Sequence, residues 1–287
     1  MADTPPVATS YTFDPFARHQ FYIDVNASLV RRAIGQLDAS VPGGQQVRVV
    51  ELASGTGAVT EQILDELERR GRLGTVIGME PSAEALELAC ERLRGRAVEF
   101  VQGDADRLAE VISRADAAFF CNAIHLVPDK GDAIDKITSV LAPGGFFAYN
   151  TTFFDGAYAP GSERCYHLFM RKALMWLRRN HPDVRLSRSE KALARQWLSA
   201  DQYVALAEQH GLRVVDREMA VAQLPLRAWQ DIGRYKLFIE GALPGVPIAI
   251  GADAIEHAAT ETFEELVIDY VPRIWLQLVT QRVAADV

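Results

Sequence analysis

The sequence predicts an α/β protein built on one mostly parallel, seven-stranded sheet with helices on both faces. Two observations carry this expectation. From Val47 to Asn150, short apolar runs alternate with amphipathic helical stretches, the βαβ pattern of a parallel sheet covered on both sides. The first of these runs, Val47–Leu52, contains a single acid near its end, Glu51, and leads into Gly55 and Gly57 and then a helical segment. A buried strand, a tight glycine turn and a helix start form the corner where open α/β sheets bind nucleotide-like ligands. A carboxylate just before that turn suits a ligand with a positive end and would repel a pyrophosphate.

In order along the chain, residues 1–20 read as a mobile arm and Phe21–Leu37 as a helix, with Phe21, Val25, Leu29, Ile34 and Leu37 at helical spacing. After the Val41–Gly44 loop come strand Val47–Leu52, helix Thr60–Arg69 and strand Thr75–Met79. Ser82 suits the N-cap of a helix reaching Arg94. Strands Val98–Val101, Ala115–Phe120 and Phe146–Tyr149 follow, with a helix at Ala133–Leu141 stopped by the turn Ala142-Pro143-Gly144-Gly145. Beyond Asn150 the pattern changes. Residues 151–199 carry an aromatic loop and a long helical stretch, Glu163–Asn180, without a clear strand. Ser199 opens a helix to His210, closed by Gly211, and Leu212–Met219 reads as a strand. Arg227–Ala242 and Ala254–Ile268 read as helices, and Ile274–Val279 as the seventh strand. The chain divides accordingly into an arm and helix (1–40), a ligand-binding core (41–150), a helical lid (151–199), a core continuation (200–224), a second helical cap (225–270) and a closing strand (271–287).

Composition narrows the function. With 287 residues, 49% hydrophobic and 24% charged, the chain can bury a sizeable core. A net charge of -8 argues against a general nucleic-acid binder. Three widely spaced cysteines, Cys90, Cys121 and Cys165, make neither a disulfide framework nor a zinc site, and read as buried free thiols in a reducing compartment. No apolar run approaches ~18 residues, and no signal peptide is visible, so a cytoplasmic protein with no membrane partner is expected. Arginine outnumbers lysine and alanine is abundant, which suggests a GC-rich bacterial source.

The glycine turn is not a dinucleotide fingerprint, because the third small position is Thr60; it is not a P-loop, because no Gly-Lys-Ser/Thr follows. Four further motifs come after it: Glu80-Pro81-Ser82 after the second strand, Gly103-Asp104-Ala105-Asp106 after the third, Cys121-Asn122-Ala123-Ile124-His125 after the fourth, and Leu141-Ala142-Pro143-Gly144-Gly145 before the fifth. Taken in order, these five motifs resemble the class I S-adenosylmethionine (SAM)-dependent methyltransferases over roughly residues 22–150, with Leu212–Met219 and Ile274–Arg282 as closing strands. The resemblance implies a Rossmann-like sheet and a role for each motif. Glu51, Ala53, Gly55 and Gly57 would wrap the methionine part of SAM. Glu80, followed by Pro81, would accept the ribose hydroxyls, and Asp104 and Ala105 would face the adenine, with either Asp104 or Asp106 also able to cap the next helix. Asn122 belongs to the same set. Tyr22 and Asn26, one turn apart on the first helix, would close over the SAM carboxylate.

The acceptor side is read from residues. His125 stands where donor and acceptor should meet, either as a general base or as a packing histidine. Methyl transfer is a displacement at a sulfonium-borne carbon, so alignment and desolvation can supply much of the rate. Segments 151–199 and 225–270 are rich in large residues; Phe153, Tyr158, Tyr166 and Trp176 are candidates to line an apolar pocket, against the alternative that they are ordinary core. No metal constellation is evident. The expected function is methyl transfer from SAM, yielding S-adenosylhomocysteine, to a small lipophilic or aromatic metabolite, by a monomer or homodimer. The alternative is a SAM-binding protein of this fold that does not methylate, such as a cyclase or a regulatory binding module.

Overall fold

A computed structural model describes residues 12–42, 44–187 and 197–283. Seven strands form one sheet: β1 (Val47–Leu52), β2 (Gly74–Glu80), β3 (Val98–Gln102), β4 (Ala115–Cys121), β5 (Leu141–Thr151), β6 (Leu212–Pro225) and β7 (Tyr270–Arg282). Their order is β3-β2-β1-β4-β5-β7-β6, parallel except for β7, which runs antiparallel to both β5 and β6. The strand order reverses between β1 and β4. In an open α/β sheet the crevice at the carboxyl ends of such a pair is where ligands bind.

The helices are α1 (Asp14–Ala17), α2 (Gln20–Ser40), α3 (Ala58–Arg69), α4 (Ala83–Arg92), α5 (Leu108–Val111), α6 (Lys130–Val140), α7 (Glu163–Asn180), α8 (Ala200–Gln209), α9 (Leu226–Ile232), α10 (Lys236–Ala242) and α11 (Ile248–Leu266). Strand residues alternate between two cores. On one face Val47, Val49, Phe119, Phe146, Ala148 and Val279 pack with α2, α3 and the group α7, α9, α10 and α11. On the other, Val50, Ala118, Phe120, Phe147 and Leu278 pack with α6 and α8. The central strands are buried on both faces, with every residue of β4 buried, which is why they read as continuous apolar runs. Ser199 and Gln202 form a reciprocal capping box at the start of α8, and Ser82 caps α4 as expected.

Several boundaries differ from the sequence reading. Part of the expected arm, from residue 12, is structured: Phe13 and Phe16 pack edge-on to Tyr22, and α1 starts with Pro15 in its first turn. Residues 1–11 lie outside the described residues. The expected Pro-Gly-Gly turn lies inside β5, as an irregularity where the register with β4 shifts between Ala115 and Ala117. β6 and β7 form a longer ribbon than expected, with Pro225 opposite Tyr270. In the outer half of β6, Ala222 and Leu224 are buried while Val221 and Gln223 are exposed. The single helix expected at 227–242 is two. Gly233 ends α9 against α11, where an added Cβ would fall 2.4 Å from Ile255. Cys121 and Cys165 are buried thiols, whereas Cys90 is exposed. Among the described residues, no helix is long and apolar enough to cross a membrane.

Candidate functional site

The turn after β1 is built from left-handed backbone: Ala53 has φ 52°, Gly55 55° and Gly57 80°. Ser54 N donates to Met79 O at 3.0 Å, tying the turn to β2, and Gly57 N donates to Ser54 O at 2.9 Å. Gly57 caps α3 beside Ala89 and Leu93, where an added Cβ would come within 3.2–3.3 Å of their side chains. Gly55 differs, because no atom lies within 4 Å of an added Cβ. Its missing side chain opens space for a ligand to approach the backbone.

Thr60 occupies the position where a dinucleotide motif needs a small residue, and the structure gives it a use. Its buried hydroxyl donates to Glu51 Oε2 at 2.5 Å. Glu51 is 2% exposed. Its pKa is pushed up to about 8 by burial, with the Thr60 hydrogen bond pulling it back and the nearby Glu80 charge adding to the rise. This carboxyl is therefore poised to ionise beside a cation.

Glu80, at the end of β2, is held at both oxygens. Gly55 N donates to Oε2 and Ser82 N to Oε1, each at 3.0 Å. Each carboxylate oxygen keeps a lone pair for further donors. Pro81 is exposed between these contacts. Of the two acids after β3, Asp104 is the cap, accepting from Asp106 N at 3.0 Å, while Asp106 pairs with Lys136 at 2.6 Å. Ala105 is half-buried beside them. Two further elements stand over this edge: α1, which was read as part of the arm, and the large residue Tyr235 of the second helical cap. Asp14 of α1 accepts from Thr56 Oγ1 and from Arg92, each at 2.8 Å, so α1 bridges the glycine turn to α4. Tyr235, between α9 and α10, packs against Phe13 at 5.2 Å, and burial together with the Glu80 charge raises its pKa. No local pattern places either residue at this turn, because they meet it only through the fold.

At the tip of β4, Asn122 takes left-handed φ 55°. Its N–H donates to Asn150 Oδ1 at 2.8 Å. Its side-chain Nδ2 donates to Tyr22 Oη at 3.0 Å and Asn26 Oδ1 at 3.1 Å, and its Oδ1 accepts from Trp275 Nε1 at 2.6 Å. Asn150 Nδ2 also donates to Asn26 Oδ1 at 2.9 Å. Tyr22 and Asn26 are therefore inner members of a buried network (4% and 0% exposed), which locks the Asn122 amide and leaves it no free N–H.

His125 follows in a short 3₁₀ turn and is 5% exposed. Its Nδ1 lies 3.1 Å from Thr151 Oγ1, and its ring stacks on Phe153 at 4.3 Å. Burial, then the charges of Lys130 and Arg273, hold its pKa down to about 3. Phe153, Tyr158 and Tyr166 come together around the Arg273 guanidinium, at 5.4, 5.1 and 5.2 Å, with Trp197 at 5.9 Å. Tyr158 stacks on Tyr166 at 4.1 Å. Trp176 is not part of this group. It lies ten residues beyond Tyr166 on α7, roughly 15 Å along the axis, against His181 and His257. Arg273 and Trp197 carry no sequence signal that would have found them. Among the described residues, no group of three or more His, Cys, Asp or Glu side chains is placed to hold a metal.

A family model for a methyltransferase domain matches residues 49–145, which run from β1 to the start of β5 and carry the strand-tip residues just described. Over these residues the chain is similar to methyltransferase domains, and its sheet has the Rossmann-like fold of solved methyltransferases. An uncharacterised methyltransferase of Geobacillus kaustophilus is 34% identical over 108 residues, 37% of this chain and 47% of that protein. A fatty-acid O-methyltransferase of Mycolicibacterium smegmatis is 30% identical over 102 residues, 36% of each chain. The matched stretch thus spans less than half the length of these relatives. Among solved structures, the cyclase SpnF superposes with a TM-score of 0.55 at 16% identity, over 94% of this chain and 85% of that one, a likeness of fold. The methyltransferase match ends before Phe153, so the aromatic group around Arg273 lies outside it.

Proposed function

We propose that the protein transfers a methyl group from SAM to a small lipophilic or aromatic acceptor. The observation that carries this reading is the convergence of Glu51, the open backbone at Gly55 and the oriented carboxylate of Glu80 at the point where the strand order reverses. SAM, when bound, supplies an electrophilic methyl on a sulfonium. Glu51 and the backbone from Ala53 to Gly57 would hold the amino-acid end, where a cationic amino group favours the ionised form of Glu51. Glu80, pre-oriented by two backbone amides, would accept the ribose hydroxyls. Asp104, Ala105 and Pro81 would border the adenine, and α1 with Tyr235 would cover it. Asn122 acts through its fixed backbone, with Tyr22 and Asn26 behind it.

On the acceptor side, α7, α9, α10 and α11 form the lid, and His125 with the aromatic residues of its approach lines the pocket. A histidine held near pKa 3 is neutral at pH 7 and a weak base. His125 therefore serves to position the acceptor and exclude water, and the rate rests on alignment. Calorimetric titration with SAM, followed by a labelled-methyl screen of small lipophilic acceptors, tests the reading. Saturable SAM binding with no methylated product from any acceptor would favour the non-methylating alternative.

A further inference from the structure

The buried cation beside His125 has more donors than the protein uses. Arg273 stands near the start of β7, three residues before Leu276, which pairs with Thr151, the last residue of β5. It therefore sits just past the carboxyl end of β5, on the side of the sheet where the acceptor would arrive. Arg273 is only 8% exposed. Among the described residues, no carboxylate lies within ion-pair distance of it. Its Nε donates to Thr152 Oγ1 at 2.8 Å and one Nη2 hydrogen to Thr152 O at 2.5 Å. That uses one edge of the planar fork. The outer edge, between Nη1 and Nη2, keeps its donors. Four aromatic rings at 5.1–5.9 Å stabilise the charge. A ring face does not replace an acceptor for two parallel N–H groups.

A second polar group at the same place is also unsatisfied. Tyr166 is 9% exposed; its hydroxyl lies close enough to the Arg273 guanidinium to interact with it, yet has no partner in good hydrogen-bonding geometry. Buried polar groups in native proteins are nearly always paired, so an orphaned phenol beside a guanidinium with a free edge points to a ligand. The chemistry that satisfies both is a carboxylate, which accepts a bidentate pair from arginine and a further bond from a phenol.

We propose that Arg273 and the Tyr166 hydroxyl anchor a carboxylate carried by the methyl acceptor. The inference rests on the methyltransferase reading for the word acceptor, but the anion site stands on its own geometry. It explains why a cation is buried in an acidic protein, and why it lies next to Phe153, on which His125 stacks. An acceptor with an apolar or aromatic body and one carboxylate fits the surrounding rings and their single charge.

The test compares acids with isosteric uncharged amides. Dodecanoate and benzoate, each against its primary amide, are titrated into the full chain with and without S-adenosylhomocysteine. At least one acid is expected to bind about 10- to 100-fold more tightly than its amide, the scale of a charged hydrogen bond. Arg273→Met should remove that preference while leaving S-adenosylhomocysteine affinity and the folded near-ultraviolet dichroism unchanged. Should that variant fail to fold, Arg273→Lys, which keeps the charge and loses the fork, should cut the preference by about tenfold, and Tyr166→Phe by a smaller factor. Equal binding of acid and amide, no binding of either acid, or a preference that survives these substitutions would overturn the proposal. Failure of the wild type to bind S-adenosylhomocysteine would instead overturn the methyltransferase reading, and the acid–amide comparison without it would still decide the anion site.

Discussion

Replacing Glu51 with glutamine should make the protein more stable and its cofactor binding weaker. The folded chain raises the Glu51 pKa from 4.5 to about 8, chiefly by burial. The folded state therefore keeps a proton that the unfolded chain gives up, and stability falls as pH rises through the window from 4.5 to about 8. At about 1.4 kcal/mol per tenfold in proton affinity, the loss reaches about 3 kcal/mol at pH 7. Glutamine carries no such cost, and its amide oxygen can still accept from the Thr60 hydroxyl. E51Q should therefore exceed the wild type by about 1–3 kcal/mol at pH 7, with the gap closing towards pH 4.5. Urea denaturation followed by tryptophan fluorescence at several pH values measures this. The same ionisation should appear in binding. If a cationic amino group drives Glu51 to ionise, SAM binding at pH 7 should release about 0.9 of a proton, the protonated fraction of an acid with pKa about 8. Calorimetry in two buffers of different ionisation enthalpy reads that number, and E51Q should abolish it. A stability gap that does not change with pH, or equal proton release by both proteins, would refute the reasoning.

Other perturbations have equally definite outcomes. Glu80→Ala should weaken SAM binding by roughly 1–3 kcal/mol in calorimetry, the scale for losing a charged hydrogen-bond acceptor; an unchanged dissociation constant would remove Glu80 from the site. Since His125 is held near pKa 3, it should place no inflection in the pH–rate profile between pH 5 and 8. An ascending limb there that disappears in His125→Ala would restore it as a base. Trp275→Phe deprives Asn122 Oδ1 of its buried donor, and should cost about 1–3 kcal/mol of stability by urea denaturation.

The sheet was legible because its central strands are buried on both faces and its helices on one. β1 and α7 fall on the expected residues, and the two-faced burial of β4 is the reason its run is unbroken. Motif spacing pointed to the methyltransferase domain matched over residues 49–145 because the glycine turn and the acid at the tip of β2 are local features of strand ends. What sequence did not show depends on long-range meetings. Thr152 and Arg273 are 121 residues apart, and only the antiparallel return of β7 brings them together. Trp176 illustrates the converse: an aromatic residue at helical spacing signals burial, yet the spacing says nothing about which end of the helix faces a site. Thr60 looked like a defect in a nucleotide motif until its contact with Glu51 gave it a role. The arm was misread at its end because the aromatic packing of Phe13 and Phe16 on Tyr22 leaves no local periodicity to read, and the end of β6 is set by its long pairing with β7.

The most direct test of the central claim is equilibrium binding of SAM to the full chain, measured by calorimetry for the wild type and Glu80→Ala. Saturable one-to-one binding, weakened about 5- to 150-fold by the substitution, is the expected result. No binding by the wild type, or equal affinity in both proteins, would contradict the assignment of the strand-tip crevice as the methyl-donor site.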